Sequence, residues 1–191
     1  MKSHTIETAK LADYAGGRFS MIEVEQTYQF GEKTIPTHKR HVFHRGNSVG
    51  VFAMDRGKLV LIEQFRSGPA VAGLDPWTIE PIAGSVENGE DPIECAKREV
   101  VEEAPGVIIY DITHMCRFMP SPGGSSEVID LYMAECDLTH VERYGGLDSE
   151  HEYIKIHVVD VSTAMMWLNT GKITSSLAII GLQWIALNQK K

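Results

Sequence analysis

From Phe19 onward apolar and polar residues alternate, with Ile22, Val24, Tyr28 and Phe30 set against Glu23, Glu25, Thr27 and Gln29. A period of two predicts a half-buried strand, and the Gly31-Glu32-Lys33 turn after it predicts a hairpin into a second strand over 34–45. Two apolar-rich runs, 47–54 and 58–65, flank an Asp55-Arg56-Gly57 turn and predict paired core strands. A Gly/Pro-rich loop (67–76) leads to a short strand over 77–82, where Pro81 suits an edge or irregular position. Further strands are expected over 107–112, 114–118, 128–136 and 154–159, with polar loops at 119–127 and 137–149. Two C-terminal helices are expected, one capped by Asp160 or Ser162 and running to about Asn169, the other from Ser175 or Ser176 through Leu187.

One segment carries helical periodicity and chemistry together. Asp91 suits an N-cap, Pro92 the first helical position, and Glu94 a capping-box-like contact, while Pro105 and Gly106 stop the helix. Ile93, Ala96, Val100 and Ala104 form an apolar stripe. Glu99, Glu102 and Glu103 cluster on a different face, Glu99 and Glu103 being an i,i+4 pair with no lysine between them. Like charges at that spacing destabilise a helix, and acidic residues near its C-terminus oppose the macrodipole. A bound divalent cation relieves both penalties, so the pattern points to a hard-cation site with oxygen donors.

The 191 residues suit one domain, or one domain with a short N-terminal appendage, and 43% hydrophobic content is enough for a sizeable core. A net charge of −8 argues against a phosphate-backbone binder and so against a nucleic-acid partner. No run approaches membrane-spanning length. Cys95, Cys116 and Cys136 are odd in number and sit in apolar or helical contexts, so buried thiols of a reducing cytoplasm are expected rather than disulfides. His38, His41 and His44 recur every third residue, but on a strand His41 points away from the other two, which disfavours a zinc site.

The stretch from Gly84 to Val107 resembles the Nudix box, a glycine, five residues, a glutamate, seven residues and R-E-U-x-E-E-x-G-U, with U aliphatic. Gly84, Glu90, Arg98, Glu99, Val100, Glu102 and Glu103 match position for position, and Pro105 is a one-residue insertion beyond the carboxylates. The resemblance implies an α/β fold, the Nudix α/β/α sandwich with a mixed sheet, here with an N-terminal antiparallel β-hairpin arm. It also implies magnesium-dependent hydrolysis of a nucleoside diphosphate linked to another group, with manganese as a substitute.

Two further segments resemble the ADP-ribose pyrophosphatase branch of that family: Ser121-Pro122-Gly123-Gly124 with Glu127, and Gly146-Leu147 through Glu150, Glu152 and Ile154. By that resemblance the Ala83 carbonyl, Glu99 and Glu103 hold metal, Glu102 shares a second ion, and Arg98 pairs with Glu90 to orient the helix. Glu150 is the implied general base and Glu152 an additional metal ligand. Arg66 is expected to meet phosphate or ribose, and Ser121, Pro122, Gly123 and Glu127 to shape the terminal ribose pocket. The branch implies a homodimer in which residues 1–45 are an arm and 46–191 the hydrolase domain. The arm would bring Arg18, Phe19, Arg40, His41 and Arg45 to the partner's site, His41 standing where the branch carries an acidic residue. The implied reaction splits ADP-ribose into AMP and ribose 5-phosphate. The alternatives are a GDP-mannose or other nucleoside-diphosphate-sugar pyrophosphatase and a non-catalytic ADP-ribose-binding module.

Overall fold

In two adjacent strands, β4 (Ser48–Asp55) and β5 (Lys58–Phe65), strict alternation sorts side chains into two separate cores. Val49, Val51, Ala53, Val60 and Ile62 enter one, and Phe52, Leu59 and Leu61 the other. A sheet that is apolar on both faces has to be covered on both. The computed structural model of the protein, which describes residues 2–14 and 19–188, shows what covers each.

The main sheet runs β10 (Tyr144–Gly145), β11 (Ile154–Asp160), β5, β4, β9 (Ile129–Asp137), β8 (Ile108–Phe118), with β6 (Trp77–Glu80) on β5 and β7 (Ile82–Ser85) on β4. Its β4–β9 pair is parallel and the other pairs are antiparallel, so the sheet is mixed. Helix α2 (Pro92–Glu103) supplies Cys95, Ala96 and Val100 to the first core. The C-terminal helices α3 (Val161–Asn169) and α4 (Ser176–Asn188) supply Ala164, Ala178, Leu182 and Ile185 to the second. This is the expected α/β/α sandwich. Helix α4 approaches β4 closely because Gly181 has no side chain: a Cβ there would lie 2.0 Å from a Phe52 ring carbon.

Several boundaries differ from the sequence reading. The expected strand over 77–82 breaks at Pro81, which lacks an N–H for the ladder. Its first half pairs with β5 (Glu80 beside Ile62) and its second with β4 (Ile82 beside Val51). The two strands expected over 107–118 are one, β8, with register irregularities at Ile109/Asp111 and His114/Cys116. The loop after β5 contains a short helix, α1 (Ser67–Val71), and the 137–149 loop contains β10.

The described residues cluster into two units: Ser48–Phe118 with Ile129–Lys191, which holds the sandwich, and Met1–Asn47 with Met119–Val128. The second unit is a three-stranded antiparallel sheet, β1 (Lys2–Tyr14), β2 (Phe19–Phe30) and β3 (Lys33–His44), joined by the 119–128 loop. Gly31, at φ 63°, makes the β2–β3 turn. The loop is stitched to β3: Phe43 N–H donates to the Gly124 carbonyl at 2.8 Å, and Ser126 N–H to the Phe43 carbonyl at 3.1 Å. Strand β1 was not expected, since almost all its residues are exposed and no apolar face marks it. It is held by ladder pairing with β2.

Candidate active site

Helix α2 begins as its sequence predicts, with the Asp91 carboxylate accepting from the Ile93 N–H at 2.8 Å. Glu94 pairs with Lys97 at 2.7 Å rather than closing a capping box. Ile93, placed in the apolar stripe by sequence, is 37% exposed, while the buried arc is Cys95, Ala96, Glu99, Val100 and Glu103. Two of the glutamates therefore lie on the core side of the helix.

Arg98 organises the acidic groups around it. Its Nε and Nη2 reach Glu90 at 3.0 and 3.2 Å, and its Nη1 reaches Glu99 at 2.7 Å and Glu102 at 3.1 Å. This is the ion pair expected with Glu90, extended to the helix carboxylates. It shows that a guanidinium takes up part of their mutual repulsion. The Arg98 contact, helped by the Glu87 N–H, holds the Glu90 carboxyl down at about 2.

Glu103 and Glu99 are 3% and 9% exposed. Burial pushes the Glu103 carboxyl well above the usual range; the negative charges of Glu99 and Glu152 push the same way, and the Ala83 N–H and the Arg66 charge oppose them. Burial also raises Glu99, with Glu102 and Glu152 adding to it and Arg98 opposing. The box glycine has a steric reason: a Cβ on Gly84 would lie 1.8 Å from Glu99 Oε1.

The last turn of α2 seats the chain that leads to Glu150 and Glu152. Gly146 N–H donates to the Glu102 carbonyl at 2.9 Å, and a Cβ on Gly145 would lie 2.3 Å from the Glu103 carbonyl oxygen. Glu150 then falls on an exposed 3-10 turn, Asp148–Glu150, closed by His151 in a left-handed conformation at φ 58°. Glu152 is partly buried, and its charge acts on Glu99, Glu103 and Arg66. Arg66, at the end of β5, meets Glu80 through two hydrogen bonds, at 2.9 and 3.3 Å.

Residues 44–177 match the family model described as NUDIX domain. The chain belongs to the Nudix family. It is 36% identical to ADP-ribose pyrophosphatase of Escherichia coli strain K12 over 154 residues, 80% of this chain and 73% of that one. It is 40% identical to ADP-ribose pyrophosphatase of Haemophilus influenzae over 154 residues, 78% of this chain and 70% of that one. A GDP-mannose pyrophosphatase of Klebsiella pneumoniae is 33% identical over 165 residues, 83% of this chain and 81% of that one. A crystal structure of an ADP compounds hydrolase superposes with a TM-score of 0.71 at 17% identity, covering 98% of this chain and 97% of that one, which shows a shared fold.

Within the Nudix unit the fold thus gathers Ala83, Glu99, Glu102, Glu103, Glu152 and Arg66 about the α2–β7 contact. Among the described residues no three His, Cys, Asp or Glu side chains stand at coordinating spacing. Glu99 is turned to Arg98, and Glu103 to the Ala83 N–H. The chemistry of the donor set nevertheless fits a hard cation: carboxylate oxygens whose pKa values are raised by burial, with the neighbouring carboxylates adding to it.

The remaining expected substrate residues belong to the other unit. Arg18 lies outside the described residues. Phe19 packs against Phe43 with the rings tilted (5.5 Å between centroids), and Arg45 lies over the Phe19 ring at 5.7 Å while contacting Glu127 at 3.4 Å. His41 stands beside Glu23 at 3.7 Å, and Arg40 donates to the Lys39 carbonyl. Ser121, Pro122 and Gly123 are exposed in a turn closed by the Ser121 carbonyl. Sequence reasoning missed Thr78, Glu80 and Gly145. A polar pair two apart in a short apolar strand was the signal for the first two, and the Gly145-Gly146 doublet for the third.

Proposed function

We propose that this Nudix enzyme hydrolyses ADP-ribose to AMP and ribose 5-phosphate with a divalent cation, magnesium or in its place manganese. The observation that carries the reading is the pair of buried carboxylates, Glu99 and Glu103, beside Ala83 and within the electrostatic reach of Glu152 and Arg66. The ADP-ribose pyrophosphatase relatives supply the substrate.

In this reading the Ala83 carbonyl, Glu99 and Glu103 would hold the cation, Glu102 would share a second ion and Glu152 would add a ligand; when bound, the metal would neutralise the diphosphate and acidify a water. Arg66 binds a phosphate oxygen. Glu150 takes the proton from the attacking water as a new P–O bond forms and the anhydride P–O bond breaks. Support for Glu152 as a ligand is its charge acting on both buried glutamates. Phe19, with Arg18, Arg40, His41 and Arg45, meets the adenosine side of a substrate in a partner subunit. Ser121, Pro122, Gly123 and Glu127 shape the terminal ribose pocket.

The protein works as a cytoplasmic homodimer, residues 1–45 being the arm and 46–191 the hydrolase domain. The exposed apolar side chains of the arm sheet, Ile6, Leu11, Tyr28 and Phe30, support an arm that docks on a second copy. Free Cys95, Cys116 and Cys136 suit a reducing compartment.

The test is a panel of nucleoside diphosphate compounds with magnesium, read by phosphate release after phosphatase coupling. ADP-ribose is expected to give the highest kcat/KM. A preference for GDP-mannose, a reading the Klebsiella relative favours, would replace the substrate while keeping the chemistry. Binding of ADP-ribose without turnover of any member would leave a binding module. Light scattering tests the dimer.

A further inference from the structure

Glu80 is 7% exposed and Thr78 6%, on a strand whose other residues are Trp77 and Ile79. Two residues apart on β6, both side chains point to the same face of the sheet. Neither is buried unpaired. Glu80 Oε1 accepts from Thr78 Oγ1 at 2.6 Å and from Arg66 Nε at 3.3 Å, and Oε2 accepts from Arg66 Nη2 at 2.9 Å. The backbone closes the same bracket, since Arg66 N–H donates to the Pro76 carbonyl at 2.8 Å.

A guanidinium is a planar fork, and Nε with Nη2 form one edge of it. With that edge on Glu80, the Nη1 edge is turned the other way. Arg66 also feels Glu103 and Glu152, which places its charge near the carboxylate cluster. We infer that Glu80, itself fixed by Thr78, is the positioning residue that aims the Nη1 edge of Arg66 at the phosphates of the substrate. This rests on the site acting on a nucleoside diphosphate.

The experiment is a double-mutant cycle on the full-length protein, with thermal melts on every variant and ADP-ribose as first substrate. Glu80→Gln lowers kcat/KM by about 10²-fold, mainly through KM, because a misaimed binding group costs that much. Thr78→Val loses less, and Thr78→Ser, which keeps the hydroxyl, recovers most of that loss. Combining Glu80→Gln with Arg66→Ala costs no more than Arg66→Ala alone, because Glu80 acts through Arg66. Losses that multiply in the double variant, or an unaltered KM in Glu80→Gln, would overturn the assignment. Should Glu80→Gln fail to fold, the Thr78→Val and Thr78→Ser pair in the Arg66 and Arg66→Ala backgrounds decides between the same two outcomes. If the wild type cleaves no nucleoside diphosphate, the proposed activity fails separately. The cycle is then read in ADP-ribose affinity by calorimetry, where coupling upholds the positioning role and additivity overturns it.

Discussion

Glu103 Oε2 accepts the N–H of Ala83 at 2.8 Å, so a helix carboxylate is tied to the backbone of the strand it packs against. One oxygen holds α2 to β7, and the carboxylate stays in a nearly closed environment that disfavours its charge. Structure and reactivity meet in this one group.

Glu103→Gln keeps an acceptor for the Ala83 N–H and removes the charge. The fold is expected to persist, shown by unchanged circular dichroism. Turnover is expected to fall by about 10²-fold or more, since a bound cation contributes several kcal/mol to the transition state. Full wild-type kcat in the variant at saturating magnesium would sink the metal assignment.

The pH dependence of the metal-free protein has a definite sign. Glu99 and Glu103 have raised pKa values when folded, so the native state binds more protons than the unfolded one. Their contribution is most favourable below the ordinary glutamate range and is lost as pH rises through the raised values. Melts in chelator are expected to show Tm falling as pH rises above the ordinary glutamate range in the wild type, and falling less in Glu103→Gln. Magnesium is expected to restore Tm at the upper end by binding the native state. Glu90 works in the opposite sense at acid pH, its stabilisation being lost as pH falls toward about 2.

Gly84→Ala tests the contact between β7 and Glu99. With the new Cβ at 1.8 Å from Glu99 Oε1, the carboxylate has to move. The expected outcome is a destabilisation of about 1–3 kcal/mol from overpacking, read in urea, with a loss of roughly 10²-fold in kcat from misplacement. A variant with native kcat would show that Glu99 is free to sit elsewhere.

Asp91→Ala removes the cap of α2 and touches nothing among the reactive groups. It is expected to cost about 1 kcal/mol as a shift of the urea midpoint, with kcat/KM close to wild type. A large kinetic effect would mean that the cap positions the carboxylates.

How far the chain could be read without coordinates depended on how local the information was. Helix α2 was legible because Asp91, Pro92 and the spacing of Ala96 and Val100 lie within a few turns of one another. That Glu99 and Glu103 lie on its buried side was not, because hydrophobic patterning assigns charges outward and only the position of β7 brings them in. Strand β1 was silent, since an exposed strand held by backbone pairing needs no apolar alternation. The bracket of Thr78, Glu80 and Arg66 joins two strands across a loop, so no single window of sequence contains its geometry.

The stitching of Phe43 to Gly124 and Ser126 bears on how this protein can be recombined. The unit that owns the 119–128 loop is discontinuous in the chain, with breakpoints at 47/48, 118/119 and 128/129. Truncation at residue 47 would not excise it cleanly, since the loop would lose both backbone partners on Phe43. A chimera with a relative would inherit a matched arm and loop only if both segments came from the same parent. Changes of substrate preference written into Ser121–Glu127 are therefore constrained by a strand encoded far upstream.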